Sequence, residues 1–187
     1  MDNNKKIKVL GISGSLRSGS FNTALLKSAK DLAPANMEIE LFDISTIPIF
    51  NQDFENESSK YVKEFKNKIE SSDGILFVTP EYNYSIPGGL KNAIDTASRP
   101  YGNNSWEGKP AAIMSASVGM LGGSRAQYHL RQVLVSLNMQ PLNRPEIMVP
   151  AASEKFDSQL ILIDDKTKEA IKRQLEAFDV WIRKLAA

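Results

Sequence analysis

Five apolar runs, IKVLGI (7–12), MEIELFDI (37–44), GILFVTP (74–80), PAAIMSAS (110–117) and RPEIMVP (144–150), alternate with stretches patterned for helices, and this alternation constrains the fold most. Ile7, Val9, Leu10 and Ile12 crowd apolar and β-branched side chains onto neighbouring positions, the pattern of a strand buried on both faces. Segments 22–33, 58–71, 87–98 and 123–138 carry apolar residues three and four apart. The last segment, 165–186, does the same, with Ile171, Leu175, Phe178 and Ile182 at steps of four, three and four. Strands alternating with helices build a parallel sheet, and right-handed crossovers put helices on both of its faces. The chain is therefore expected to form a three-layer α/β sandwich around a five-stranded parallel sheet of order 2-1-3-4-5, the flavodoxin-like order. No internal repeat, low-complexity tract or linker divides residues 1–187, which read as a single domain.

Such sheets bind ligands beyond the carboxyl ends of their strands, beside the switch point between strands 1 and 3, so the loops after strands 1, 3 and 4 should converge. The first of them, GSLRSGSFN (14–22), runs into the helical pattern TALLKSAKDLA. It offers glycines for close backbone approach, the hydroxyls of Ser15, Ser18 and Ser20, the cation of Arg17 and the amide of Asn22. A helix N-terminus presents unpaired N–H groups and the positive end of the helix dipole, so an anion there is stabilised twice. A plain turn with Ser20 or Asn22 as helix cap is the simpler alternative. The loop lacks G-x-x-x-x-G-K-[ST], and glycines 11, 14 and 19 do not fit G-x-G-x-x-G. What remains suits one terminal phosphomonoester, such as that of flavin mononucleotide (FMN).

The loop after strand 3, PEYNYSIPGG, brackets Glu81, Tyr82, Asn83, Tyr84 and Ser85 between Pro80 and Pro87. The prolines restrict the segment, the tyrosines offer aromatic surface, and Asn83 can donate and accept. It could lie along a planar ring, or be a surface turn leading into a helix that starts at Pro87. The loop after strand 4, SASVGMLGG, adds Ser115, Ser117 and Gly119, Gly122 and Gly123. A flexible strand-to-helix connection explains it equally well when taken alone.

Composition removes several chemistries. The chain has no cysteine, hence no disulfide, thiolate metal site or cysteine nucleophile, and its single histidine, His129, leaves no pair for zinc. A net charge of +1 from 23 basic and 22 acidic residues gives no nucleic-acid footprint and no polybasic membrane patch, so a small-molecule partner is favoured. The start MDNNKKIKVLGISG has too short an apolar run for a signal peptide, and no stretch approaches the length of a membrane span; a soluble cytoplasmic protein is expected. His129 falls in a helical stretch as a packed or exposed residue, and Trp106 in a polar connection, as a surface anchor, a border of the ring or part of an oligomer interface.

GSLRSGSFN, PEYNYSIPGGLKNAID and their spacing resemble the NADPH-dependent FMN reductase family of flavodoxin-like proteins, which includes chromate- and quinone-reducing members. The likeness matches at Gly14, Ser15, Leu16, Arg17, Ser20 and Asn22, and again at Pro80, Glu81, Tyr82, Asn83, Ser85, Pro87 and Gly88. It implies FMN as cofactor and NADPH or NADH as co-substrate. It also implies that Ser15, Arg17, Ser20 and Asn22 hold the phosphate, while residues 80–85 and Ser117 contact the ring. With their loop neighbours Leu16, Ser18, Phe21 and Tyr84, these are the candidate cofactor-binding residues; no side chain is assigned as catalytic and none as a metal ligand. The implied activity is ping-pong hydride transfer from NAD(P)H through FMN to quinones, flavins, azo compounds or metal oxyanions such as chromate, in a homodimer or homotetramer. Arg17, Arg99 and Arg125 are all candidates for the 2′-phosphate of NADPH. A non-enzymatic FMN carrier docking with proteins is the alternative, though +1 provides no one-signed surface for steering. A hydrolase using Ser13 or Ser15 with His129 is a weaker one, because GISGS does not match G-x-S-x-G.

Overall fold

The computed structural model describes residues 6–55 and 59–186. Its strands are β1 (Ile7–Ser13), β2 (Met37–Phe42), β3 (Gly74–Val78), β4 (Pro110–Ala116), β5 (Gln140–Pro141) and β6 (Ile147–Val149). Its helices are α1 (Phe21–Asp31), α2 (Lys60–Ser71), α3 (Gly88–Ala97), α4 (Ser124–Ser136) and α5 (Asp165–Leu185). The helices fall where the periodicity puts them; residue 58, where the second pattern begins, lies outside the described residues. All strand pairs are parallel and the order is β2-β1-β3-β4-β5, with β6 also pairing to β4.

Alternation along β1 sorts the core. Ile7 and Val9 face α1 and α5, meeting Leu25, Leu26, Leu175 and Phe178, while Leu10 and Ile12 face α2, α3 and α4, meeting Phe65, Ile69, Leu90 and Leu130. A strand covered on both faces can carry apolar residues at consecutive positions, which is why β1, β3 and β4 are so apolar. α5 lies so close to β3 that a Cβ on Gly74 would come within 2.7 Å of Ile182 and 2.8 Å of Phe178.

The fifth strand departs from expectation. Instead of one run over 144–150, the position beside β4 is filled by two short pieces: Gln140–Pro141 pairs with Pro110–Ala111, and Ile147–Val149 with Met114–Ala116. Between them the ladder is interrupted, and the Gln174 amide of α5 enters the gap, donating to the carbonyls of Ile113 (3.1 Å) and Pro145 (2.7 Å). A side chain thus supplies the donor that a continuous strand would have offered to Ile113.

Trp106 is also corrected. It is fully buried, packed among Phe65 and Phe77, with its indole N–H donated to the Ile94 carbonyl at 3.0 Å. It neither borders the strand-end loops nor anchors a surface; it is a core residue between the sheet and α2 and α3.

Candidate functional site

Parallel strands deliver the loops after β1, β3 and β4 to one end of the sheet, and local bonds hold them together. The Gly14 N–H extends the β1 ladder onto the Val78 carbonyl (2.8 Å), and the Thr79 N–H continues β3 onto Met114 (3.0 Å). Asn22 joins the first loop to the third: its amide donates to the Ala116 carbonyl (2.9 Å) and its oxygen accepts the Ala116 N–H (2.8 Å). Asn22 is buried by this clamp, which grips Ala116 at the end of β4, one residue before Ser117.

In the first loop, Ser20 is the N-cap of α1, accepting the N–H groups of Asn22 (3.2 Å) and Thr23 (3.3 Å). Its own proton remains to be donated outward. Arg17 folds across the loop and donates to the Gly19 carbonyl. Ser15 is half-buried, accepting the Arg17 N–H at 3.4 Å, and Leu16 and Ser18 are exposed. The N–H groups of Ser18, Gly19 and Phe21 find no acceptor among the described residues, and the first turn of α1 contains no acidic residue. Neither the dipole nor these donors are used internally.

The second loop is a tight turn. Tyr82 and Ser85 exchange both backbone bonds (2.9 and 3.0 Å), with Asn83 at φ 50° and Tyr84 at φ 66°. Positive φ at both central residues is the type I′ geometry that asparagine and glycine favour; tyrosine there is strained, by about 1–3 kcal/mol. α4 holds it in place. The Glu81 carboxylate accepts from the Arg125 Nε (2.6 Å) and from the backbone N–H groups of Arg125 (3.1 Å) and Ala126 (3.4 Å). The Arg125 guanidinium in turn lies 3.7 Å from the centre of the Tyr84 ring. One turn further along the same face, the His129 Nδ1 is 3.0 Å from the Ser85 Oγ. Tyr82, Asn83 and Tyr84 are exposed, whereas Pro80 is buried against the sheet.

In the third loop, Ser117 is fixed on both sides: its N–H donates to Val149, its carbonyl accepts from Ala152, and its hydroxyl accepts the Gly119 N–H at 3.1 Å. Gly123 ends the loop at φ 86°, where a Cβ would press on Ser115 at 2.8 Å. Ser115, fully buried, donates to the Gly122 carbonyl and accepts from Gln127, so it shapes the loop from below.

Residues 7–154 match the NADPH-dependent FMN reductase family. The chain belongs to that family. It is 54% identical over 180 residues to an NAD(P)H-dependent FMN reductase of Pseudomonas aeruginosa, covering 96% of this chain and 97% of the relative. It is 42% identical over 185 residues to a quinone reductase of Escherichia coli K12, covering 97% and 98%. Among solved structures, FerB, a flavoenzyme NAD(P)H:(acceptor) oxidoreductase from Paracoccus denitrificans, superposes with a TM-score of 0.88 at 38% identity, covering 95% of this chain and 98% of that one. This family member is thus an oxidoreductase that works with FMN and NAD(P)H.

The residues present fit FMN. An α1 N-terminus with unused N–H groups, the hydroxyls of Ser15, Ser18 and Ser20 and the nearby Arg17 make a complete donor set for a dianionic phosphate. Of the candidate residues, Ser15, Arg17, Ser18 and Ser20 converge there with the backbone of Phe21. Tyr82, Asn83, Tyr84 and Ser85 stand on the facing loop, and Ser117 on the third. Glu81 and Asn22 are committed to clamping the loops, with one Asn22 N–H left over. The sequence reading missed Arg125 and His129 as supports of the turn, although their four-residue spacing puts them on one helical face. Among the described residues there is no cluster of acidic residues and histidine that could hold a metal, and no helix long and apolar enough to cross a membrane.

Proposed function

We propose that this family member reduces quinones with electrons from NAD(P)H in a ping-pong cycle, the two substrates occupying the same cleft in turn. FMN supplies the chemistry, taking hydride from the nicotinamide and passing electrons to the acceptor. The protein's own part is placement. The α1 N-terminus, Ser15, Ser18, Ser20 and Arg17 hold the phosphate. The 82–85 turn, through its backbone groups and Asn83, and Ser117 of the 117–120 segment would hold the ring. Because no acid, base or nucleophile is required beyond the cofactor, a chain without cysteine and with one histidine is sufficient.

The observation that carries this reading is the joining of three strand-end loops around an α1 N-terminus whose donors are unused. Quinone as acceptor is supported by the name of the Escherichia coli relative, and the exposed flanks Leu16, Tyr82, Val118 and Met120 suit a flat apolar substrate. Flavins, azo compounds and chromate could enter the same open cleft. The apolar residues around the loops also support self-association into a dimer or tetramer, and we place the enzyme in the cytoplasm.

The test is direct. Purified protein should be yellow, should be bleached by about one equivalent of NAD(P)H without air or quinone, and should turn NAD(P)H over continuously when a small quinone is supplied, with parallel double-reciprocal plots when both substrates are varied. A colourless protein that cannot be reconstituted with FMN, or intersecting plots, would refute the proposal. Binding of FMN without turnover of any small acceptor would instead favour an electron carrier. Gel filtration and cell fractionation test the assembly and the location.

A further inference from the structure

A cavity of about 340 Å3 lies beside the first loop, between α1 and the segment 159–162. Ser18 and Ser20 are among its lining residues, so it shares a wall with the first loop. It then follows one face of α1, where Thr23, Lys27 and Asp31 are spaced four residues apart, with Lys168 of α5 among the lining residues. Its volume falls within the range of small-molecule sites. The facing wall is preformed: the Asp157 carboxylate accepts the N–H groups of Gln159 (2.9 Å) and Ile161 (2.8 Å). This turn carries Leu160 at φ 62°, packed against the core.

The charge of the cavity is informative because the arginines that could have met a 2′-phosphate are engaged elsewhere. Arg99 is bonded to Glu55, Arg125 to Glu81, and Arg17 is already assigned to the FMN phosphate. Lys27, by contrast, makes no hydrogen bond or ion pair among the described residues. Lys168 is paired with Asp165 at 2.9 Å, but that carboxylate is 89% exposed, so the pair is weak and its ammonium can be exchanged to a ligand. Asp31 is the one carboxylate in the lining, leaving the cavity with a net positive charge.

We propose that this cavity receives the adenosine 2′-phosphate end of NADPH, with Lys27 as the principal cation and Lys168 as the second, and that it sets preference for NADPH over NADH. The inference rests on the proposed function above. Ser18 and Ser20 belong both to the first loop and to the cavity lining, so an adenosine end extending past that loop would meet the cavity. The adenosine end of the dinucleotide, which takes no part in hydride transfer, would then be recognised by charge, away from the transferring atoms.

The test uses the FMN-loaded protein and calorimetry with adenosine 2′,5′-bisphosphate and with 5′-AMP, while flavin fluorescence reports whether FMN stays bound. The bisphosphate should bind about tenfold or more tightly than 5′-AMP, the effect of one charge-assisted contact. Lys27→Ala should abolish that difference, Lys27→Arg should restore it, and Lys168→Ala should reduce it. In turnover, Lys27→Ala should lower the NADPH:NADH ratio of kcat/KM by a similar factor. An unchanged ratio with unchanged bisphosphate binding overturns the proposal. So does release of FMN by the bisphosphate, which would place it on the phosphate loop instead. Failure of the wild-type protein to reduce quinones would overturn the functional reading, while the calorimetric comparison still decides the cavity.

Discussion

Replacing Glu81 should loosen the ring-facing loop in a way that can be measured twice. α4 begins at Gly123 with no side-chain cap, so the Glu81 carboxylate, reaching over from the β3 loop, satisfies the Arg125 and Ala126 N–H groups in its place. Loss of an N-cap costs about 1 kcal/mol, and removing a negative charge from a helix N-terminus a further 0.3–1 kcal/mol. The Arg125 pair adds less than about 1 kcal/mol, because the arginine is 41% exposed while Glu81 is only 10% exposed. Glu81→Ala should therefore destabilise the protein by about 2 kcal/mol, lowering Tm by about 4–8 °C for a chain of this size. Glu81→Gln keeps one acceptor and should lose about half as much. With the clamp gone, the strain at Asn83 and Tyr84 is held by fewer contacts, chiefly the turn's own backbone bonds and the Ser85–His129 contact, so FMN affinity should fall as well. Thermal denaturation of apo-protein and fluorescence titration with FMN measure the two effects separately. A double-mutant cycle with Arg125→Ala should show coupling below about 1 kcal/mol, since the backbone N–H groups that Glu81 caps remain. A Tm within about 1 °C of wild type together with unchanged FMN affinity would refute the assignment of Glu81 to the loop clamp.

Arg17→Ala should weaken FMN retention by about 1.5–3 kcal/mol without lowering apo-protein stability; equal FMN affinity in a dissociation assay would remove Arg17 from the phosphate site. Trp106→Ala should cost about 3–5 kcal/mol in chemical denaturation, since it empties the space among Phe65, Phe77 and Ile94, and a small effect would contradict a core role. Asp164, the N-cap of α5, has its carboxyl lowered from 3.8 to about 2, first by the Thr167 hydroxyl, then by Lys155 and the Thr167 N–H. A lowered folded-state value means that this stabilisation is complete above the unfolded value and is lost as pH falls from 3.8 through about 2. Denaturation of wild type and Asp164→Asn between pH 7 and 2 should therefore converge in acid, and parallel curves would sink the idea.

The legible parts of the fold were those whose burial is periodic. β1, β3 and β4 are covered on both faces and read as continuous apolar runs, and α5 repeats its buried residues at helical spacing, so neither depended on distant partners. Gln140–Pro141 was not legible: it is two residues long, half-buried, and a strand only because the Lys109 carbonyl accepts the Gln140 N–H and the Ala111 carbonyl that of Leu142. Trp106 was misjudged for a related reason. Its neighbours Asn103, Asn104 and Glu107 are polar, and the rings that enclose it come from Phe65 and Phe77, distant in sequence. In the site, the loops and their convergence followed from strand order, but the division of labour within them did not. Nothing in the motif separates Ser20, which caps α1, from Ser18, which is exposed, or shows that Asn22 spends most of its amide on Ala116.

That division of labour follows one electrostatic rule applied to two helices. α1 and α4 both begin at the carboxyl end of a parallel strand, and both present N–H groups and a positive dipole end there. α4 receives a carboxylate from within the chain, Glu81, and becomes a fixed wall against which the strained 82–85 turn is braced. α1 receives only the neutral hydroxyl of Ser20, and no acidic residue enters its first turn. A carboxylate at position 18 or 19 would occupy the α1 N-terminus as Glu81 occupies that of α4, stabilising the apo-protein while excluding the phosphate. The absence of such a residue in GSLRSGSFN is what keeps this helix end available to a ligand, and it makes the loop's stability depend on the anion that fills it.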